Sequence, residues 1–225
     1  MASAAHRLRT AIEDNGESFY EELANTLTHG IGAVLAAAAL ALIVVLAALT
    51  GNAWAVTAAA IYGASLVMVY LSSALYHGIW HKATKAVFLV LDHCAIFLLI
   101  AGTYTPITLL VFPQPLGWTL FGVIWAMAFV GIALRLWLGH LHWIMIPLFL
   151  AMGWIGFFWS DTVFTHLGAA GAWLILSGGL AYTGGVVFFL WRSLPFNHAL
   201  WHVSVLGGSV CHFVAIALYV VPAAA

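Results

Sequence analysis

Residues 27–49 read LTHGIGAVLAAAALALIVVLAAL and contain no Asp, Glu, Lys or Arg. A helix needs about 20 predominantly apolar residues to cross the hydrocarbon core of a bilayer, so this stretch predicts a membrane-spanning helix. The whole chain has the same character, since 65% of its 225 residues are hydrophobic, 6% are charged, and its mean hydropathy is +1.09. This composition excludes a water-soluble domain and predicts an integral membrane protein.

Further apolar stretches of similar length follow, which predicts an all-α membrane protein, a seven-transmembrane helix bundle. The predicted spans are 27–49, 54–78, 86–111, 117–138, 143–160, 168–191 and 199–221. The predicted domains are a cytoplasmic N-terminal segment at 1–26, the transmembrane domain at 27–221 and a short external tail at 222–225. The N-terminal segment is rich in acidic residues where a signal peptide would be apolar, so we expect no cleavable signal.

The basic residues indicate the orientation of the bundle. Short cytoplasmic loops of membrane proteins are enriched in Lys and Arg. In the predicted arrangement every Lys and Arg of the chain falls on one side of the membrane: Arg7, Arg9, Lys82, Lys85, Arg135 and Arg192. The sequence therefore predicts a cytoplasmic N-terminus and an external C-terminus. With one helix fewer, the same residues would be divided between the two sides.

Four side chains that bind metals or carry protons lie within these apolar stretches: His77, Asp92, His198 and His202. Ionisable residues inside a membrane are rare and mark functional sites. Each lies within about ten residues of a predicted cytoplasmic loop, which at ~1.5 Å of rise per residue places all four in roughly the inner 10 to 15 Å of the bilayer. They are therefore expected at one depth.

The spacing of these residues indicates a metal site. His198 and His202 are one helical turn apart and project from one face, so both can bind one ion. With His77 they make a three-histidine zinc site with an open fourth position, the arrangement of a catalytic site. Zinc lowers the pKa of a bound water from about 15.7 to roughly 7. Asp92 is placed to hold that water and accept its proton, and Ser73 to donate a hydrogen bond to a developing oxyanion. The alternative is that these histidines make hydrogen bonds between helices.

A further polar stripe enters the first helix, at Glu22, Asn25 and His29. These residues are spaced so that they lie on one helical face. They are candidates for orienting a zinc ligand from a second layer, or for a proton path. The alternative is an ordinary helix start, in which Glu22 is a first-turn charge and Asn25 a cap.

Several motifs resemble those of the bacterial hemolysin III family, which is similar to the progestin and adipoQ receptors and, more distantly, to the alkaline ceramidases. The motifs are Glu22-Leu-Ala-Asn25-Thr-Leu-Thr-His29-Gly30, Ser73-Ala-Leu-Tyr-His77, Asp92-His93, Gly102-Thr-Tyr-Thr-Pro106 and His198-Ala-Leu-Trp-His202. The resemblance spans nearly all of the chain and implies a seven-helix fold. It also implies zinc bound by His77, His198 and His202, with Asp92 reaching the metal through water and Ser73 close by.

Together these observations predict a multi-pass protein of the bacterial inner membrane with zinc as its cofactor. A zinc site at this depth lies near the linkage region of lipids, so we expect a zinc-dependent hydrolase of a lipid amide or ester, with the lipid or its fatty acid held in the bundle. One alternative is a receptor-like regulator of membrane lipid or energy homeostasis in which zinc is structural. Another is a hemolysin or channel that permeabilises membranes, although the sequence shows no hydrophilic pore-lining stripe.

Overall fold

The computed structural model describes residues 17–138 and 144–224, and within these ranges it is helical with no β-strand. Residues 1–16, 139–143 and 225 lie outside the described residues, and with them Arg7, Arg9 and most of the predicted N-terminal segment. The helices are α1 (Phe19–Leu49), α2 (Ala53–Gly78), α3 (Lys82–Leu110), α4 (Leu116–Trp137), α5 (Met145–Trp154), α6 (Ser160–Leu190) and α7 (Asn197–Ala215). The 3₁₀ segment Ile155–Trp159 joins α5 to α6, and the π-helical segment Ile216–Val220 continues α7.

The described residues include six helical units that are long and apolar enough to cross a membrane. Five of them are α1, α2, α3, α4 and the unit formed by α7 with its continuation, and the remaining one is the 46-residue stretch Met145–Leu190. The chain is therefore an all-helical membrane protein, as predicted. The predicted spans 143–160 and 168–191 both fall within the long stretch.

The stretch Met145–Leu190 folds back on itself. The indole Nε1 of Trp154 donates a hydrogen bond of 2.9 Å to Thr183 Oγ1. In one straight helix these residues would lie about 40 Å apart, because each residue adds ~1.5 Å. Gly168 lies between them with φ 66° and ψ 175°, a left-handed conformation that interrupts the helix. Glycine adopts this conformation without a Cβ penalty, which allows the helix to break there.

Helix α1 begins at Phe19, ahead of the apolar stretch that predicted it. Ser18 and Glu21 form a capping box, in which the Glu21 amide donates to Ser18 Oγ and the Ser18 amide donates to the Glu21 carboxylate at 2.8 Å. This pair satisfies amides that the first turn leaves without helical partners. The polar stripe predicted at Glu22, Asn25 and His29 consequently lies on a continuous helix.

Helices α1 and α2 pack closely against each other. At Gly63 a Cβ would lie 2.9 Å from Leu40 Cα, so the two backbones approach each other where α2 has no side chain. Small residues permit such approach in membrane helices, where association depends on packing and hydrogen bonding. Along α2, Tyr62 and Tyr70 are buried in the same core, and Val205 of α7 belongs to it. Helices α1, α2 and α7 therefore meet along their inner faces.

Candidate metal centre

The three predicted zinc ligands come together. One ligand atom from each of His77, His198 and His202 lies within 4.8 Å of the others. The ring centroids are 4.9 Å apart for His77 and His198, 5.2 Å for His77 and His202, and 4.6 Å for His198 and His202. His77 lies at the end of α2, and the other two lie in the first turns of α7. Imidazoles at these separations are close enough to bind one ion with small rotamer changes.

His77 is arranged as a metal ligand. Its Nδ1 lies 2.6 Å from Glu22 Oε2, and the other oxygen of Glu22 lies 2.6 Å from Lys85 Nζ. A carboxylate only accepts, so Nδ1 carries the hydrogen and Nε2 has the lone pair. That Nε2 is buried and has no hydrogen-bond partner among the described residues. A ligating histidine usually donates its second N–H to a carboxylate, which fixes its tautomer and orientation. The residues present therefore fit a bound metal.

His202 has the same tautomer for a different reason. Its Nδ1 lies 3.3 Å from the Asn25 carbonyl oxygen and 3.1 Å from Thr28 Oγ1. The carbonyl accepts, and the Thr28 hydroxyl already donates to the backbone of its own helix, so Nδ1–H is the donor to both. Nε2 of His202 is then the nitrogen with a free lone pair. The ring of His29 stacks on His202 with centroids 3.5 Å apart and further limits its rotation.

The carboxylate of Glu17 lies beside the third predicted ligand, His198. Glu17 Oε1 is 3.6 Å from His198 Nδ1. Asn25 holds that carboxylate by donating from Nδ2 to Oε2 at 2.8 Å. Burial, followed by the nearby charges of Glu22 and Glu21, raises the pKa of Glu17 to about 7. Residues 17–28 therefore face the Nδ1 atoms of all three predicted ligands, as a single stretch of chain.

Asp92 and Ser73 lie beside this cluster without belonging to it. Asp92 is next to Ser73 and Arg135 on the inner side of the bundle. Its carboxylate is not among the atoms that lie within 4.8 Å of one another in the described part of the chain. Ser73 Oγ is buried and interacts with the Asp92 carboxylate. Asp92 and Ser73 are thus a pair that lies outside the histidine cluster.

Sequence reasoning missed four residues of this region. Glu17 and Thr28 had no role in the prediction, and Lys85 and Arg135 entered it only as charges that set the topology. Arg135 is 5% exposed and donates from Nε to His93 Nδ1 at 2.8 Å. The acidic residues before α1 were a usable signal for Glu17, because a carboxylate beside predicted histidine ligands is common. No sequence signal separates Arg135 from an ordinary flanking charge.

A partly open cavity of about 240 Å³ extends from the histidine cluster. His198, His202, Ser73 and Asp92 line one end, and His212 lines it further along α7. Between them the walls are mainly apolar and include Ile96, Ile100, Phe149, Leu150, Val186 and Phe189. Cavities with apolar walls and a few convergent polar groups are the usual form of ligand sites. The polar end of this cavity coincides with the candidate metal centre.

These features define a class: a multi-pass helical membrane protein with a histidine cluster among its helices and an apolar cavity beside it. The chain belongs to the hemolysin III family, since the family model described as "Haemolysin-III related" matches residues 17–213. The family resemblance of the sequence motifs is therefore confirmed.

Individual relatives agree with this assignment. The chain is 44% identical to "Hemolysin-3" of Bacillus cereus over 91% of its own length and 94% of that protein. It is 40% identical to "Hemolysin-3 homolog" of Bacillus subtilis (strain 168), over 89% of this chain and 95% of the relative. Similarity extends to "Monocyte to macrophage differentiation factor" of Homo sapiens, at 32% identity over 89% and 84%. The alignments run along nearly the whole chain, so the resemblance is not confined to one motif.

Proposed function

We propose that this protein is a zinc-dependent hydrolase of a lipid amide or ester. One observation carries the proposal: buried His77 Nε2 has no partner among the described residues, within a cluster of three histidines that opens on an apolar cavity. An unpaired buried nitrogen is costly unless something binds it. A ligand at this position supplies the missing interaction.

The donor set favours zinc. Neutral imidazole nitrogens suit zinc as they suit copper, iron and nickel, and three protein ligands with a further open position are typical of catalytic zinc. Glu22 and the Asn25 carbonyl hold two of the rings by their Nδ1 atoms, which leaves Nε2 for the metal. Bound there, zinc supplies a Lewis acid that polarises a carbonyl and acidifies water.

The chain's own residues would perform the remaining steps. Asp92 accepts a proton from the water that attacks the carbonyl carbon, and Ser73 donates a hydrogen bond to the carbonyl oxygen as negative charge develops there. When the carbon–nitrogen or carbon–oxygen bond breaks, Asp92 returns the proton to the leaving amine or alcohol. The cavity holds the acyl chain, and its apolar walls exclude other water from the reaction.

We also propose seven membrane crossings, with the N-terminus in the cytoplasm, the C-terminus outside and the bacterial inner membrane as the location. The hydrogen bond between Trp154 and Thr183 supports this count, because the chain must reverse between them. The reversal divides Met145–Leu190 into two pieces at Gly168, each of about 22 residues and long enough to cross. Two crossings here also keep Arg192 on the same side as Lys82 and Lys85. A single crossing would put Arg192 opposite them.

The first test is the metal content of detergent-purified protein by elemental mass spectrometry. We expect about one zinc per chain in the wild type and none in the His198→Ala/His202→Ala variant, with helical content checked by circular dichroism. His166→Ala is the matched control, since His166 is exposed and its Nδ1 donates to the Thr162 carbonyl of its own helix. Zinc-loaded protein is then assayed for release of fatty acid from bacterial lipid extracts. A folded wild type without metal, or with metal and no turnover of any lipid, would count against the hydrolase.

One observation favours a second function, in which zinc is structural in a receptor-like regulator. The predicted ligands and the residues that orient them join α1, α2 and α7, so a metal there would cross-link these helices. Turnover by the wild type and folding of the His198→Ala/His202→Ala variant distinguish the two functions. A hydrolase turns over lipid and loses that turnover in Asp92→Asn while keeping its metal, whereas a structural site turns over no lipid and loses folding when its histidines are removed.

A further inference from the structure

The cavity beside the candidate metal centre extends for a similar length along four helices. Its lining residues on these helices lie within 92–104 on α3, 145–154 on α5, 179–189 on α6 and 198–212 on α7. The histidine cluster occupies one end of this length. From His202, the last of the predicted ligands, the cavity continues as far as His212, which is about 15 Å further along α7.

Hydrogen bonds hold the helices together at the end of the cavity away from the histidines. Trp154 Nε1 on α5 donates to Thr183 Oγ1 on α6 at 2.9 Å. The Tyr104 hydroxyl on α3 donates to the Gly153 carbonyl and accepts from the Gly156 amide, both at 2.9 Å. Tyr104 and Trp154 are the last cavity-lining residues of α3 and α5, and with Thr183 we call them the end wall. Water does not compete for hydrogen bonds in the bilayer core, so the end wall keeps its position.

Gly179 leaves space in front of this end wall. It precedes Thr183 by one turn of α6, so a side chain at position 179 would project from the same face. Apart from its own chain neighbours and helix backbone, a Cβ added at Gly179 would meet only the six-membered ring of Trp154, at 3.9 Å. Gly179 and Trp154 both line the cavity. A larger residue at position 179 would therefore extend along the indole into the far end of the cavity.

We propose that the end wall limits the length of the acyl chain, so that this protein selects lipids with an acyl chain of about 12 carbons. The inference rests on the proposed function, because it places the lipid carbonyl at the metal centre and the chain in the cavity. An extended chain advances ~1.25 Å per carbon, since its C–C bonds of about 1.5 Å zigzag at tetrahedral angles. A length of about 15 Å therefore accommodates roughly 12 carbons.

The end wall discriminates against chains that are longer than the cavity. The bilayer is as apolar as the cavity, so additional methylenes gain little by moving from lipid into the protein. A chain that is too long must bend or displace the side chains of the end wall. Overpacking of this kind weakens binding by about 5- to 150-fold. Gly179 is then a specificity residue, because its missing side chain determines how much of the far end is open to the chain.

The test measures binding of saturated fatty acids, from octanoic to octadecanoic acid, to full-length protein in lipid nanodiscs. These acids are the product class of the proposed reaction and bind without turnover. Each acid displaces a fluorescent fatty acid, and its affinity is expressed per mole fraction in the bilayer, which removes the effect of chain length on partitioning. We expect the wild type to bind octadecanoic acid at least about fivefold more weakly than dodecanoic acid.

Two variants should move this limit in opposite directions, which a general loss of folding cannot do. Gly179→Leu should weaken dodecanoic acid by about the same factor and leave octanoic acid unchanged, because the leucine fills the far end. Trp154→Ala removes the indole from the end wall and should bind octadecanoic acid as well as dodecanoic acid. Gly184→Leu is the matched control, since Gly184 is an exposed residue of α6 with open space around it, and it should keep the wild-type limit.

The outcomes separate this inference from the proposed function. Equal binding of dodecanoic and octadecanoic acid to the wild type overturns the inference alone, since a long chain then leaves through the opening of the cavity. A limit that is unchanged in a folded Gly179→Leu variant, or that Gly184→Leu shifts equally, also overturns it. Binding of none of the acids overturns it together with the acyl-chain cavity of the proposed hydrolase. A limit that Gly179→Leu shortens and Gly184→Leu preserves supports the inference, whether or not turnover is detected.

Discussion

The contact between Glu22 and His77 gives the sharpest test of the metal centre. Glu22 is 14% exposed and accepts from His77 Nδ1 at 2.6 Å. Glu22→Gln keeps the size of the side chain and an acceptor oxygen but removes the charge. Charge-assisted hydrogen bonds are roughly twice as strong as neutral ones, so the imidazole becomes less firmly held and less basic.

The expected magnitude follows from the role of such partners. Loss of a residue that orients a ligating histidine costs about 10- to 100-fold in metal affinity, or roughly 1.4 to 2.8 kcal/mol. The variant also leaves Lys85 without the carboxylate that it contacts at 2.6 Å. Zinc affinity is measured by competition with a chromophoric chelator on full-length protein in detergent. We expect the zinc affinity of Glu22→Gln to fall by a factor within this range. The zinc affinity of Asp161→Asn should be unchanged, since Asp161 is an exposed acid of α6. A Glu22→Gln affinity within about twofold of wild type would refute the orienting role, since the predicted loss is at least tenfold.

The other predictions concern the chemistry and the packing. Asp92→Asn should retain zinc and lose most turnover of lipid because the proton acceptor is gone, with Asp161→Asn again as the control. Ser73→Ala should retain zinc and lower kcat by about 10²- to 10³-fold, the usual effect of removing one oxyanion donor, measured as fatty acid release. Gly63→Ala should lower the unfolding free energy by about 1 to 3 kcal/mol, because its Cβ would meet the α1 backbone, and thermal denaturation in detergent measures the loss. Gly122→Ala should not lower it by the same assay, since apart from its own chain neighbours and helix backbone no atom lies within 4 Å of the added Cβ.

Each of these predictions has an outcome that would contradict it. Loss of zinc in Asp92→Asn or Ser73→Ala would place those residues in the ligand set or in folding. Unchanged turnover in either variant would remove it from the chemistry. Equal stability of the Gly63→Ala and Gly122→Ala variants would show that the helix pair accommodates a Cβ at position 63 without loss of stability.

Much of the site was predictable because helix geometry is regular. The i, i+4 spacing of His198 and His202 placed both rings on one face, and the basic loops placed His77 at the same depth. The structure brings these three residues together. The polar stripe at Glu22, Asn25 and His29 also reaches the histidines, as one of its two interpretations required.

The missed start of α1 is a local feature, whereas the contacts of Glu17 and Arg135 depend on tertiary packing that a single sequence does not encode. Hydropathy placed the start of α1 at residue 27, whereas the capping box at Ser18 and Glu21 starts it at Phe19. Capping is a local hydrogen-bonding effect to which an apolarity pattern is insensitive. Glu17 reaches His198 only because α1 packs beside α7. Arg135 is buried against His93, a partner on another helix that no spacing rule identifies.

The stretch from Glu17 to Thr28 contacts the histidine cluster from one side. Ordering of this stretch is therefore coupled to metal binding at the candidate centre. Two linked equilibria must influence each other equally. An ion that binds more tightly when this stretch is docked therefore stabilises the docked stretch by the same factor. Metal loss would loosen the N-terminal end of α1 first, while the membrane-embedded core stays folded. Cleavage by an added protease near Glu17 would then report the metal content of the centre without any substrate.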